Sequence, residues 1–294
     1  MENLVHNFNP AYYEINNNDI LGRGAYGEVL KATANKEHVQ DIRREGLPEE
    51  LAVKTTKWRD EEWNHKNSEY LLVKKGFKFD HRNIVRVFHI SLDKMNANWT
   101  RQMIYMELCD EDLKEFQKRN EILLPGVRHV LKGILDGLAY IHDNDVIHRD
   151  LKEENVLLKR INHEGNTIQN YDIKLGDFNI SKPQENMICM TNTEKVGTES
   201  YRAPEVSQTH YGSPSDLWSL GILAFRLQTR EKFPIIVGKP WDKDVICSQL
   251  EKIEEEDLNN FLQQCLRLNP AERFTAIQLL DHPFLNQGKY YAIL

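Results

Sequence analysis

Cysteine is scarce. Four residues, Cys109, Cys189, Cys247 and Cys265, lie scattered along 294 positions without the close spacing of a metal site. Reduced thiols in a cytoplasmic or nuclear chain are therefore expected. Long hydrophobic runs are also missing, since no apolar stretch approaches the roughly 20 residues of a bilayer-spanning helix. The opening MENLVHNFNP lacks the basic start and apolar core of a secretory leader. Nor is there a surplus of positive charge. Set against 45 Asp and Glu, the 38 Lys and Arg leave a net charge of −7, which argues against a chain built to grip nucleic acid or anionic lipid. What remains, 40% hydrophobic and 28% charged residues without repeats or low-complexity tracts, is the balance of a soluble globular protein. Its length suffices for one large domain or two lobes.

The first third carries short apolar runs. Ile20-Leu21, Tyr26 and Val29-Leu30 flank a glycine cluster, and Leu51-Ala52-Val53, Ile84 to Phe88 and Met103 to Leu108 follow; each reads as a strand. Lys36 to Glu50, charged and bearing Gly46 and Pro48, reads as a solvated loop. Asp60 to Lys75 reads as one helix. Beyond Pro125 the period changes: Val127, Val130, Leu131, Ile134, Leu135, Leu138 and Ile141 recur at three- and four-residue steps, one broad apolar helical face. Asn155 to Lys159 and Asp172 to Leu175 read as strands around a polar insertion, Arg160 to Tyr171. Later helices are expected over Ser215 to Leu227, around Leu258 to Leu266, and over Thr275 to Leu280. A strand-rich first third joined to a helical remainder predicts an α+β chain of two lobes with a seam near Leu108 to Asp112.

Four motifs carry chemistry. Gly22-Arg23-Gly24-Ala25-Tyr26-Gly27-Glu28-Val29 lies between two strand-like stretches. Glycines there let backbone N–H groups approach phosphate oxygens, and the strand that follows, instead of a helix, favours a phosphate-covering hairpin over a dinucleotide fold. Lys54 ends the apolar strand Ala52-Val53 and can reach nucleotide phosphates if an acid holds its stem; Glu69 is the first choice, Glu61 and Glu62 the second. His148-Arg149-Asp150-Leu151-Lys152-Glu153-Glu154-Asn155 is the decisive string. In it a carboxylate can accept a hydroxyl proton, a lysine can offset phosphate charge, and an amide oxygen can ligate a hard cation. Asp177, in Asp177-Phe178-Asn179, follows a second short strand as a further cation ligand.

With Gly197-Thr198, Ala203-Pro204-Glu205, Asp216-Leu217-Trp218-Ser219-Leu220-Gly221 and Arg273 added, the chain resembles the eukaryotic protein kinases from about Tyr13 to Leu285. The resemblance implies a bilobal fold in a single domain over 1–294. Its small β-rich N-lobe would span about 13–108 and its larger helical C-lobe about 109–285, with a short tail over 286–294. It implies ATP and Mg²⁺, the glycine segment Gly22, Arg23, Gly24, Ala25, Tyr26, Gly27 and Val29 covering the phosphates, and Ala52 lining the adenine pocket. Lys54 would hold the phosphates and pair with Glu69. Met106 would be the gatekeeper, the main chain of Glu107 and Cys109 would read the adenine edge, and Asp112 would meet the ribose. Asp150 would be the base, Lys152 the γ-phosphate neutraliser, and Asn155 with Asp177 the magnesium ligands. Glu205 and Arg273 resemble a buried staple, while Asp216 and His148 resemble supports of the loop.

Lys152 and Thr198 point to Ser/Thr rather than Tyr acceptors in a protein substrate. Arg149 beside the base implies an activating phosphate at Thr191 or Thr193, with Glu194 supplying some negative charge without it. The hinge stretch Met103 to Cys109 with Leu113 to Phe116 is faintly similar to the stress-responsive translation-initiation-factor kinases and to the unfolded-protein-response sensor kinases. The one departure is Asn179, where the family has glycine. It keeps open the alternative of a pseudokinase acting as scaffold or allosteric partner. No nucleic acid or membrane partner is expected, and the oligomeric state is not read from the sequence.

Overall fold

The computed structural model describes residues 2–3, 7–24, 27–59, 68–178, 181–183, 198–207, 212–234 and 241–286. The chain divides into two units, Met1–Asp110 and Glu111–Leu294.

In the first unit, β-branched and aromatic residues alternate with polar ones, and the strands pair antiparallel. β1 (Glu2–Asn3), β2 (Tyr13–Gly24), β3 (Gly27–Ala34), β4 (Glu50–Arg59), β5 (Val87–Asn96) and β6 (Trp99–Glu107) form one sheet in the order β1-β5-β6-β4-β3-β2. In β3, Leu30 and Ala32 are buried while Thr33 is exposed, the two-residue period of a half-covered strand. The covered face packs on Phe8, Tyr13, Ile42, Leu47, Phe88 and Tyr105.

Two expectations are corrected here. The stretch read as a solvated loop contains helix α1 (Val39–Arg44), and its Ile42 and Leu47 are core residues. Gly46, at φ +66, ends the helix in a left-handed turn that lets Leu47 N–H reach the Ile42 carbonyl at 3.0 Å. Six residues give too little periodicity to announce a helix. The strand expected over Ile84 to Phe88 instead begins at Val87; Ile84, an isolated bridge residue, and Val85 are buried just ahead of it. The expected long helix is described only as α2 (Ser68–Lys74), since residues 60–67 lie outside the described residues.

In the second unit, Asp112 accepts the Glu115 N–H at 2.8 Å and so caps α3 (Leu113–Arg119). Pro125 sits in the first turn of α4 (Leu124–Asp143), where a missing N–H costs nothing. All seven apolar positions expected on its inner face are fully buried, so truncating one to alanine costs about 2–5 kcal/mol. β7 (Glu111–Asp112), β9 (Val156–Arg160) and β10 (Tyr171–Leu175) form a small sheet, and β8 (Val146–Ile147) pairs with β11 (Lys182–Pro183). α5 (Pro214–Thr229) is buried on every side from Ser215 to Phe225, the mark of a helix running through a core. α6 (Lys243–Leu250), α7 (Glu256–Cys265), α8 (Ala276–Leu280) and α9 (Pro283–Asn286) complete the described helices; α6 had no counterpart in the sequence reading. Arg273 makes a two-pronged pair with Glu205, at 2.5 and 2.8 Å, in a fully buried setting, with Trp218 under its guanidinium. Among the described residues no helix is long and apolar enough to cross a membrane.

Candidate active site

The first unit brings together the glycine segment, Lys54 and Glu69. β2 and β3 meet at Gly24 and Gly27. Gly27 sits at φ +151, where a Cβ would stand 2.0 Å from the Thr55 carbonyl oxygen, so the sheet itself demands glycine. Around Gly22 and Gly24 a Cβ would meet nothing within 4 Å. These two glycines therefore leave open room above the hairpin, as a phosphate-covering turn requires. Ala25 and Tyr26 lie outside the described residues. Val29 faces Lys54 across the β3–β4 ladder, and Ala52 faces Met106 across β4–β6. Lys54 Nζ donates to Glu69 Oε1 at 2.6 Å, with both side chains largely buried. The second-choice partners Glu61 and Glu62 lie outside the described residues. At the end of β6 the N–H of Glu107 donates to the Arg86 carbonyl at 2.9 Å, and Cys109, half-buried and not disulfide-bonded, follows two residues on.

In the second unit Lys152, Asn155 and Thr198 converge on Asp150. Lys152 Nζ donates to its Oδ2 at 2.7 Å, and Asn155 Nδ2 reaches the same oxygen at 3.1 Å. Thr198 gives Oδ1 both its N–H, at 3.0 Å, and its hydroxyl, at 2.8 Å. Lys152 also donates to Thr198 Oγ1 at 2.9 Å. Each carboxylate oxygen thus carries two donors, the full lone-pair capacity of the group. Asp112, beyond its capping role, has its carboxyl raised above the ordinary value, chiefly by burial.

The backbone that presents Asp150 is held from below. Asp216, buried in α5, accepts the N–H of His148 and of Arg149, each at 2.9 Å, and the Nε2–H of His142 at 2.8 Å. Burial pushes its carboxyl up, but the His142 hydrogen bond, the charges of His142 and His148 and the Arg149 N–H outweigh that and hold it below the usual range. Arg149 is left-handed, at φ +73. His148 is fully buried, donates Nε2–H to the Gly176 carbonyl at 2.9 Å and accepts the Asp150 N–H on Nδ1 at 3.4 Å. With both ring nitrogens engaged by backbone, the ring serves as a support and not as a base.

The hairpin of β9 and β10 sets the two cation-ligand candidates side by side. Val156 pairs with Leu175, so Asn155 and Gly176 flank the ladder's end, and Gly176 N–H donates to the Asn155 carbonyl at 2.9 Å. Asp177 follows directly, left-handed at φ +58. Asn155 gives its amide hydrogens to Asp150, one bond going to the carbonyl at 2.7 Å, which fixes Oδ1 as its acceptor end. An amide oxygen and a carboxylate are the donors a hard divalent cation takes, so these residues fit Mg²⁺. Among the described residues no group of three or more His, Cys, Asp or Glu is placed to hold a metal ion.

Sequence reasoning missed a buried group beside these residues. Glu153, one position after Lys152, accepts Arg226 Nε at 3.0 Å and the hydroxyl of Tyr201. Its acidic type in a charged run gave no sign of burial. Asn179, Thr191, Thr193 and Glu194 lie outside the described residues.

A fold of this kind, with a glycine hairpin and lysine–glutamate pair in one unit and the Asp150 assembly in the other, defines a phosphotransferase class, and a model of the protein kinase domain matches residues 15–285. The chain belongs to the protein kinase domain family. It is 30% identical to the cyclin-dependent kinase 4 homolog of Caenorhabditis elegans, over 90% of this chain and 69% of that protein. It is 30% identical to the serine/threonine-protein kinase pakG of Dictyostelium discoideum, over 92% of this chain but 21% of that one. Serine/threonine-protein kinase 33 of Bos taurus is 27% identical, over 90% and 54%.

Proposed function

We propose that this chain is an active serine/threonine protein kinase that moves the γ-phosphoryl group of ATP to a protein hydroxyl. The observation that carries the reading is the Asp150 carboxylate held by Lys152, Asn155 and Thr198. The first unit supplies the glycine hairpin and Lys54, steadied by Glu69, for the phosphates, and Met106 with the main chain of Glu107 and Cys109 for the adenine. The second unit supplies Asp112 for the ribose and the Asp150 assembly for transfer. Mg²⁺, held by Asn155 and Asp177, would offset phosphate charge when bound.

Asp150 is saturated as it stands, so a substrate hydroxyl reaches it only when one donor leaves. Lys152 is the donor with another task. When its ammonium turns to the γ-phosphate, Oδ2 is opened to the acceptor hydroxyl, whose proton it takes as that oxygen bonds to the γ-phosphorus and the bond from phosphorus to the β–γ bridging oxygen breaks, releasing ADP. Thr198 keeps Oδ1 engaged and so holds the carboxylate's orientation. The Ser/Thr preference is supported by the Lys152–Thr198 bond and by the names of the relatives.

The alternative, a pseudokinase scaffold, rests on Asn179 alone, since Lys54, Glu69, Asp150, Lys152, Asn155 and Asp177 are all in the chain. An arrayed-peptide assay with labelled ATP and magnesium separates the two. Label on serine or threonine peptides supports the kinase, and nucleotide binding with no label on any peptide supports the scaffold.

A further inference from the structure

Glu153 is an acid with almost no access to solvent, at 3% exposed. A carboxylate so placed needs strong partners, and it has two from distant parts of the second unit. Arg226 comes from α5 and Tyr201 from the short turn Glu199–Tyr201. The guanidinium of Arg226 also lies 5.0 Å over the Tyr201 ring, and Ser219 of α5 donates its hydroxyl to the Tyr201 carbonyl at 2.8 Å. Burial, followed by the charge of Glu153, raises the Tyr201 phenol far above its ordinary value, so the hydroxyl is a permanent donor.

The place of this bond in the chain gives it a consequence at Asp150. Glu153 is covalently next to Lys152, which donates to Asp150 Oδ2. Tyr201 N–H closes a turn on the Thr198 carbonyl at 3.0 Å, and Thr198 donates twice to Asp150 Oδ1. The Tyr201–Glu153 bond therefore joins the two arms that grip the carboxylate and closes a ring through Asp150, Lys152, Glu153, Tyr201 and Thr198. With Lys152 released to phosphate, this bond still ties the Thr198 arm to the Lys152 arm.

We propose that Tyr201 and Glu153 are positioning residues for phosphoryl transfer, braced by Arg226, whose bond keeps Thr198 seated on Asp150. Both side chains are almost fully buried, so their bond acts on transfer through Thr198 and Asp150. This rests on the kinase reading above, so one of its readouts is independent of activity.

The test compares Tyr201→Phe with Tyr171→Phe, which removes another buried tyrosine's hydroxyl, bonded to Asn166 on the β9–β10 hairpin. Tyr201→Phe is expected to lower kcat about tenfold or more with KM for ATP within about twofold, as loss of orientation without loss of binding does. Tyr171→Phe is expected to leave kcat within about twofold. Amide exchange at Thr198, whose N–H bonds Asp150, is expected to quicken about tenfold in Tyr201→Phe alone, a local loosening. Glu153→Gln, which still accepts the hydroxyl, is expected to retain more turnover than Glu153→Ala and serves as the second variant if Tyr201→Phe does not fold. Wild-type kcat and exchange in Tyr201→Phe, or equal losses in both tyrosine variants, would overturn the proposal. A wild-type chain that transfers no phosphate would sink the kinase reading, and Thr198 exchange would still decide whether this bond seats the loop.

Discussion

Asp216 accepts the backbone N–H of Arg149 at 2.9 Å, and Arg149 is held at φ +73. A non-glycine residue in that region costs of order 1 kcal/mol or more and stays there only when its surroundings insist. Here the insisting group is a carboxylate buried in α5, so the backbone that presents Asp150 is anchored in the deepest part of the second unit.

Asp216→Asn keeps the shape but turns one acceptor into a donor that faces an N–H. A buried donor left unsatisfied costs about 1–3 kcal/mol, and thermal melting is expected to show a loss of that order. The pH dependence carries a second signature. The folded carboxyl lies below its ordinary 3.8, so the stability it contributes is complete above that value and is lost as pH falls through the lower folded one. Melting temperature plotted against pH below 3.8 should therefore fall more steeply for wild type than for Asp216→Asn. Parallel curves would contradict the role given to this carboxylate.

The glycines of the first hairpin divide by function. Gly27→Ala drives a Cβ onto the Thr55 carbonyl and should destabilise the first unit by about 2 kcal/mol or more, a strained φ adding to overlap. Gly24→Ala meets open space and should leave melting nearly unchanged while raising KM for ATP, because its side chain enters the room kept for phosphate. Paired melting and kinetic measurements check both; a Gly24→Ala variant with unaltered KM would remove the phosphate assignment.

Lys54 and Glu69 form a largely buried pair, and among the described residues Glu69 Oε2 is buried without a hydrogen bond. Lys54→Met leaves that charge uncompensated, at a cost of about 3–5 kcal/mol. Lys54→Met with Glu69→Leu should recover much of the stability and none of the activity. Urea denaturation of the two variants separates the pair's structural from its chemical contribution.

Much of this arrangement was legible in the chain because it is local. The string from His148 to Asn155 states its residue types outright, and α4 announces itself through a repeat sustained over several turns. What stayed hidden depends on contacts made at a distance. Ile42 and Leu47 look like loop residues until Phe8 and Tyr13 are packed against them. Glu153 looks like surface charge until Tyr201, 48 residues on, and Arg226 enclose it. Ile84 and Val85 mislead in the other direction, since an apolar run buried in the irregular approach to a strand has the composition of one. The saturation of Asp150 depends on Thr198, likewise 48 residues away, and no local pattern encodes it.

The central claim is that Asp150 receives the acceptor hydroxyl's proton and takes no part in holding nucleotide. Transfer of label from ATP to a serine or threonine peptide, measured beside calorimetric binding of Mg-ATP, tests it in wild type and Asp150→Asn. The account predicts label transfer by wild type, a loss of about 10²-fold or more in the variant, and nucleotide affinity nearly the same in both. An Asp150→Asn variant with turnover close to wild type, or a wild-type chain that binds Mg-ATP and labels nothing, would contradict it.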